Sequence, residues 1–333
     1  MNTVVAPEFT FTEEEKNSIK RELREIGTNP YKDYKPFRRV VREYSATLAG
    51  TRLSDFVAEV KERDQLEHPC VTMGNCPIDD DIPFLDFENA VEDKRARKTT
   101  YVSEAFLQVF AELAGQHAIG YMNVNDGDVF QDIHPLKRLS DSQSQKALND
   151  IAFHKDLANH FVRPDWVNIV GLRASHENRI YTSFTRNKDV IDNLDDRTLE
   201  ILSKPIFYTP FDDLSKDGGR VLLGEADYHP VIGGAGPNDV RVFENRTLGL
   251  NPEAQTALYK LFKTLHRHKQ RFNISPGMFL GEANNESIHC KENHIVNDIE
   301  ALQHRWLQKT VNVRDVNDHA EHLVSGTDYL ING

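Results

Sequence analysis

The segment IAFHKDLANHFVRPDWVNIVGLR occupies residues 151–173. Two apolar runs, IAF and WVNIVGL, flank a polar stretch that carries a proline, a pattern that reads as two strands and a connecting loop. His154 and Asp156 stand two apart at the end of the first run. In an extended chain, residues i and i+2 project to the same face. An imidazole nitrogen and a carboxylate oxygen then point together, as two adjacent corners of an octahedral metal site require. Taken alone, H-x-D recurs by chance and more often makes a surface hydrogen bond, so the rest of the chain must supply the weight.

The chain has 333 residues, 39% of them hydrophobic, which is ample for a core. The length exceeds that at which single cores usually stop growing, but decorated barrels reach it as one domain. The expected organisation is one domain over 1–333: a mainly helical part over 1–100, a β core over 101–315 and a C-terminal tail over 316–333. Lys and Arg number 40 against 52 Asp and Glu, a formal charge of −12. Such a surface repels phosphate backbones and anionic lipid, so neither nucleic acid nor a membrane is an expected partner. The mean hydropathy is −0.56, and no apolar run approaches the roughly 20 residues of a membrane span. The N-terminal stretch MNTVVAPEFTFTEEEK lacks the basic and apolar regions of a signal peptide. Three cysteines, Cys70, Cys76 and Cys290, are too few and too uneven for a disulfide framework. Cys70 and Cys76 with His68 fall short of a zinc ligand set, and a structural role is favoured. These features predict a cytoplasmic protein.

FTFTEEEKNSIKRELREIG predicts a first helix, opened by a capping box of Thr12 and Glu15 and closed at Gly27. A second helix is expected over 34–49 and a third from Ser54 to before Pro69. Residues 70–92 read as an acidic, irregular loop, and 103–119 as another amphipathic helix. Thereafter short β-like runs dominate: YMNVN, VFQDI, IAFHKD, WVNIVGL, RIYTSF, RVLLGEA, DVRVFEN, MFLGEA and WLQKTVNV. Many short strands without alternating helices predict an antiparallel sandwich or jelly roll. One helix interrupts them at 252–270, opened by Asn251-Pro252, and its HRHK end suits the helix dipole. GGAGPND, 233–239, does not join a strand to a helix as a phosphate loop does and reads as a turn.

The distal segment GMFLGEANNESIHCKENHIVNDIEALQHRWLQKTVNVRD covers 277–315. His289 closes a short β-like run there and can complete a face of two histidines and one carboxylate, with His294 as a competitor. That donor set leaves coordination positions open and suits ferrous iron in non-haem oxygenases. Arg305 heads the run RWLQKTVNV. On a strand, Arg305, Leu307 and Lys309 share a face. Two cations turned into a core need anions to meet them; turned outward, they are merely solvated. Both readings stand on the local pattern.

The order H-x-D, RPDWVNIVGLR, distal histidine and Arg-Trp-Leu resembles the clavaminate synthase-like branch of the iron(II)/2-oxoglutarate-dependent oxygenases. That branch includes hydroxylases of free amino acids in bacterial natural-product pathways. VFQDIHPLK, 129–137, and NNESIH, 284–289, share in the resemblance, which covers about 100–315. It implies an α+β fold with a double-stranded β-helix (jelly-roll) core and flanking helices. It implies Fe(II) on His154, Asp156 and His289, with 2-oxoglutarate and O2 as cosubstrates. Arg305 matches the arginine on the distal carboxylate of oxoglutarate, and Thr182 a hydroxyl partner of the same molecule. Lys309 falls where relatives bind the α-carboxylate of the substrate. Asn125 and Ser144 fall near positions lining the same pocket, and Glu244 where acidic residues receive a substrate cation. The chain departs from its relatives at Asp156 for Glu, Cys290 for Gly, Asn285 and Glu286 for two arginines, and Lys309 for Arg. An iron carboxylate is present, which argues against a halogenase.

The implied activity is hydroxylation or desaturation of an unactivated C–H bond in a free or carrier-bound amino acid. The implied partner is a small molecule, with a carrier protein as a further option, in a monomer or homodimer. A cyclic dipeptide or other peptide-derived substrate, a metal-free jelly-roll binding protein, and an iron or zinc hydrolase are the alternatives. Iron binding and oxoglutarate consumption discriminate among them.

Overall fold

The computed structural model describes residues 3–211 and 226–333. The N-terminal part contains β1 (Phe9–Thr10), α1 (Glu13–Arg24), α2 (Tyr34–Thr47), α3 (Arg52–Glu62), β2 (Cys70–Gly74), α4 (Ala90–Arg97) and α5 (Val102–Ala114). There follow β3 (His117–Tyr121), β4 (Gln131–Ile133), β5 (Ile151–His154), β6 (Trp166–Arg173), β7 (Asn178–Arg186), α6 (Asn187–Ile191) and α7 (Asp196–Leu202). The remainder comprises β8 (Phe207–Tyr208), β9 (Tyr228–His229), β10 (Leu248–Gly249), α8 (Pro252–His268), β11 (Gln270–Phe272), β12 (Phe279–Ala283), β13 (Ser287–Val296), α9 (Ile299–Gln303), β14 (Trp306–Val313) and β15 (Leu330–Ile331).

Two sheets carry the architecture. The larger runs β1-β2-β12-β6-β14-β3-β15, with β4 also paired to β14; the smaller runs β11-β7-β13-β5, antiparallel throughout. Period-2 alternation explains how the layers stack. On β6, Val167 and Ile169 face the smaller sheet with Leu280, Leu307 and Val311, and meet Phe184 and Phe272. Val170 and Leu172 face the other way, with Phe279 and Trp306, onto a cluster that includes Leu23, Phe37, Val57 and Phe106 of the N-terminal helices. On the far side, Phe153, Ile288 and Cys290 of the smaller sheet pack against Ala257, Leu258, Leu261 and Leu265 of α8. The order of layers is therefore helices, large sheet, small sheet, helices. A buried polar chain ties the outermost layer down: Tyr31 donates to Glu104 at 2.6 Å, and Gln308 of β14 donates to Tyr31 at 2.9 Å.

The capping box of Thr12 and Glu15 forms as expected, and α2, α3 and α8 fall where helical spacing placed them. Other expectations are corrected. Residues 70–92 are not all loop: 70–74 pair with both β1 and β12, and Ala90 opens α4. The helix expected over 103–119 ends at Ala114, where Gly115 takes φ 69° and turns the chain into β3. YMNVN is a strand only at Tyr121, because Asn125 has φ 46° and the chain turns there. DVRVFEN is not a strand. Its backbone bonds to loops and to the end of β5, with single bridges at Val240 and Phe243. RVLLGEA lies outside the described residues except for Ala226. His289 does not close its run but is the third residue of a ten-residue strand. The tail contributes a strand, with Ile331 buried beside β3. No helix among the described residues is long and apolar enough to cross a membrane.

Candidate active site

β5 and β13 are neighbours, and their register sets His289 directly opposite His154. Alternation along β13 sends Ile288 and Cys290 to the α8 side and leaves His289 and Lys291 facing inward. Asp156 follows β5 where the chain turns, with Leu157 at φ 51°. Asn284 holds that turn: it accepts from the Asp156 N–H at 3.1 Å and donates to the Asp156 carbonyl at 3.1 Å and the Pro164 carbonyl at 2.9 Å. One ligand atom from each of His154, Asp156 and His289 lies within 4.8 Å of the other two, the only such His/Cys/Asp/Glu group among the described residues.

The orientation of these side chains suits an ion. Asp156 Oδ1 lies 3.6 Å from His154 Nε2 and 4.0 Å from His289 Nε2. Its other oxygen, Oδ2, accepts from Lys309 Nζ at 2.8 Å. The His154 Nδ1 lies 2.9 Å from the Ala152 carbonyl, an acceptor that places the proton on Nδ1 and leaves Nε2 as the free donor. Burial, and then His289, lower the pKa of His154, which favours the neutral ring a metal needs. Burial alone would raise the carboxyl pKa of Asp156, but Lys309 and both histidines hold it well below the usual range. For His289, burial acts against the charged form and is outweighed by Glu282 and Asp156, so its pKa is raised. The ring of Phe243 stacks on His154, with centroids 4.9 Å apart.

Beside the triad lies a cavity walled by Ile169, Thr182, Lys291, Arg305, Leu307 and Lys309. Arg305 is only 6% exposed. No carboxylate pairs with it among the described residues, and burial lowers its pKa to about 10. An unpaired buried guanidinium is costly, and its planar fork matches a carboxylate. The inward reading of the Arg305, Leu307 and Lys309 face is therefore the observed one. A second, adjoining pocket, which shares Gln145, His154, Asp156 and Lys309 with the first, is also walled by Gln131, Ser144, Phe211, Phe243 and Arg246.

The structure thus gathers His154, Asp156, His289, Arg305, Thr182, Lys309 and Ser144 around one centre. Asn125 and Glu244 are placed elsewhere. Asn125 follows the pocket residue Val124 but lines neither pocket, and its carbonyl accepts from Arg95 at 3.2 Å. Glu244 accepts from the Phe153 N–H at 3.2 Å and pairs with His266 at 2.8 Å, on the α8 side of β5. His294, the rival ligand, is exposed and stands against Tyr181. Sequence reading missed Gln131, Gln145, Phe243, Arg246 and Asn284, although Gln131 and Asn284 lay in stretches that share in the resemblance and Phe243 in the run DVRVFEN. Lys155, between His154 and Asp156, pairs with Asp239. Arg163 also grips Asp239, at 3.0 and 3.1 Å, which pins the 233–239 turn to the ligand loop. The three cysteines are unpaired.

Two histidines and one carboxylate converging on one point form a donor set that suits a ferrous ion with open positions. The resemblance to the clavaminate synthase-like branch holds in direct comparison. The chain is 29% identical to clavaminate synthase 2 of Streptomyces clavuligerus over 97 residues, a span of 29% of this chain and 30% of that protein. No family profile matches. Among solved structures, asparagine oxygenase in complex with Fe(II), 2S,3S-3-hydroxyasparagine and succinate superposes with a TM-score of 0.83 at 20% identity, covering 98% of this chain and 99% of that one. OrfP, a non-haem iron oxygenase, in complex with Fe and alpha-ketoglutaric acid gives a TM-score of 0.78 at 18% identity over 98% and 99% of the two chains.

Proposed function

We propose that the chain is an Fe(II)- and 2-oxoglutarate-dependent oxygenase that hydroxylates or desaturates an amino acid, free or carrier-bound. The observation that carries this reading is Arg305: a buried cation with no carboxylate partner among the described residues, in a cavity that opens on a His-Asp-His triad. A hydrolase has no use for that arginine, and a metal-free scaffold has no use for three converging donors. The two sheets are read as the halves of a double-stranded β-helix. The candidate ligands come from β5, the turn after it and β13 of the small sheet, and Arg305 stands just ahead of β14 of the large one.

His154, Asp156 and His289 would hold the iron, and the chemistry of the donor set fits. It offers two imidazole nitrogens and one carboxylate oxygen and would leave the remaining positions open. When bound, the ion supplies oxygen activation coupled to oxidative decarboxylation of oxoglutarate. The chain's own residues supply position. Arg305 receives the distal carboxylate of oxoglutarate through paired charge-assisted hydrogen bonds, beside Thr182. Lys309 uses one donor on Asp156, and its other protons are free for a substrate carboxylate. Ser144, Gln131 and Gln145 wall the substrate side. Phe243 and Leu157 exclude water from the reacting bond. Asn125 and Glu244 line neither pocket and are assigned no role in this reading. An amino acid as substrate fits the asparagine oxygenase and OrfP complexes, which hold hydroxyasparagine and hydroxy-arginine. A reducing, cytoplasmic setting fits three unpaired cysteines.

The test is succinate release from oxoglutarate under air with Fe(II), across a panel of amino acids. The expected result is stimulation by one amino acid, abolished in His154→Ala. Stimulation by none, with slow uncoupled turnover retained, removes the amino-acid assignment. No oxoglutarate turnover at all from iron-loaded protein removes the oxygenase reading.

A further inference from the structure

A buried carboxylate stands behind one of the two histidines. Glu282 lies on β12 opposite Cys70 of β2 and Val167 of β6 and is 2% exposed. One of its oxygens, Oε1, accepts from Ser287 Oγ at 2.7 Å. The other, Oε2, lies 3.1 Å from His289 Nδ1. No lysine or arginine pairs with Glu282 among the described residues, so His289 is its only cationic partner there. A buried carboxylate without a basic counter-ion is costly. It is tolerated where a neighbouring group supplies a proton or a positive charge. Glu282 Oε2 and His289 Nδ1 are both buried with no other polar partner among the described residues, so a proton carried on Nδ1 would neutralise the carboxylate directly, and an ion on Nε2 would act through the ring. His154 is held differently, by the neutral carbonyl of Ala152 at 2.9 Å. The two histidines therefore differ in the acceptor behind them, a carboxylate against an amide oxygen. A carboxylate partner fixes ring and tautomer and makes the imidazole the stronger donor.

We propose that Glu282 is a positioning residue of the metal centre, holding His289 with Nε2 toward the ion and making it the firmer of the two imidazole ligands. The inference rests on the metal-binding reading of the triad given above. Its test is an anaerobic Co(II) titration of the metal-free protein without oxoglutarate, for the wild type, Glu282→Gln and Glu282→Leu. Removal of an outer partner of this kind weakens metal affinity by about 10- to 100-fold. That loss is expected for Glu282→Leu, with a smaller one for Glu282→Gln, which keeps an acceptor. The melting temperature of the metal-free protein should not fall in parallel, since a buried charge has been removed. In the Co(II)-loaded wild type, each imidazole Nδ1–H gives an exchangeable, shifted proton resonance. The substitution Glu282→Gln should move one of the two and leave the other. Equal affinity and unmoved resonances in a folded variant overturn the proposal. If Glu282→Leu does not fold, the isosteric Glu282→Gln decides by the same resonance. A wild type that binds no Co(II) refutes the metal reading itself. A wild type that binds, with variants that bind equally, refutes only the role of Glu282.

Discussion

His154 and His289 face each other across the β5–β13 ladder, their ring centroids 4.4 Å apart and their planes inclined at 66°. They are 135 residues apart in the chain (289 − 154), yet the ladder fixes their separation as firmly as any local turn. Asp156 closes the third corner from beyond the end of the same strand. Replacing any one of the three by Ala is expected to abolish stoichiometric Fe(II) or Co(II) binding while leaving the fold intact. Thermal unfolding checks it. Added metal at about 100 times its Kd stabilises a binding protein by about 2.7 kcal/mol, and that shift should vanish in each variant.

Arg305→Leu separates cosubstrate binding from metal binding. Hydrogen bonds to charged groups contribute about 1.5–3 kcal/mol each. Loss of a bidentate pair should therefore weaken oxoglutarate by roughly 100-fold or more, with Co(II) affinity unchanged. The ligand-free variant should be as stable as the wild type or more so, because an unpaired buried cation has gone. Calorimetric titration with oxoglutarate over the Co(II) protein measures the first effect and urea unfolding the second. Unchanged oxoglutarate affinity would remove Arg305 from its assigned role.

Gly171→Ala tests the junction of β6 with the turn before β12. A Cβ at Gly171 would come within 2.1 Å of the Ser275 carbonyl oxygen, which is backbone and cannot swing aside. Overpacking of this sort costs about 1–3 kcal/mol. The urea midpoint should fall by the corresponding amount, with activity lost only in proportion to folded protein.

The outer face of the small sheet carries an acid-sensitive contact. Glu292 accepts from Arg271 at 3.0 Å and also pairs with Lys269 and Ser183. Burial works to raise its pKa, but these partners prevail and hold it at about 2. A carboxylate whose folded pKa lies below its unfolded value stabilises the protein fully above the unfolded value, near 4.3. That contribution is lost as pH falls toward 2. Glu292→Gln should therefore lower stability at neutral pH and flatten the decline in stability between about pH 4.3 and 2. Chemical unfolding of both proteins at a series of pH values measures it. Parallel curves would count against this assignment.

What the sequence determined by itself was local. The two-residue spacing of His154 and Asp156 sets a shared face, because strand alternation needs no partner. The helical periodicity and caps of α1, α2, α3 and α8 are likewise contained within each segment. The inward face of Arg305, Leu307 and Lys309 was legible as a choice between two burials. Tertiary structure made that choice, because packing between the two sheets buries the guanidinium. Non-local pairing decided the rest. DVRVFEN has strand composition, but its N–H groups go to the Val231 and Phe153 carbonyls and to Thr247, so no ladder forms. Glu244 was a plausible receptor until the fold set its carboxylate against His266, and Asn284 and Glu282 carried no signal of the turn and ring they hold. Those contacts join strands far apart in the chain, and their geometry comes from sheet register, which no short stretch of residues encodes.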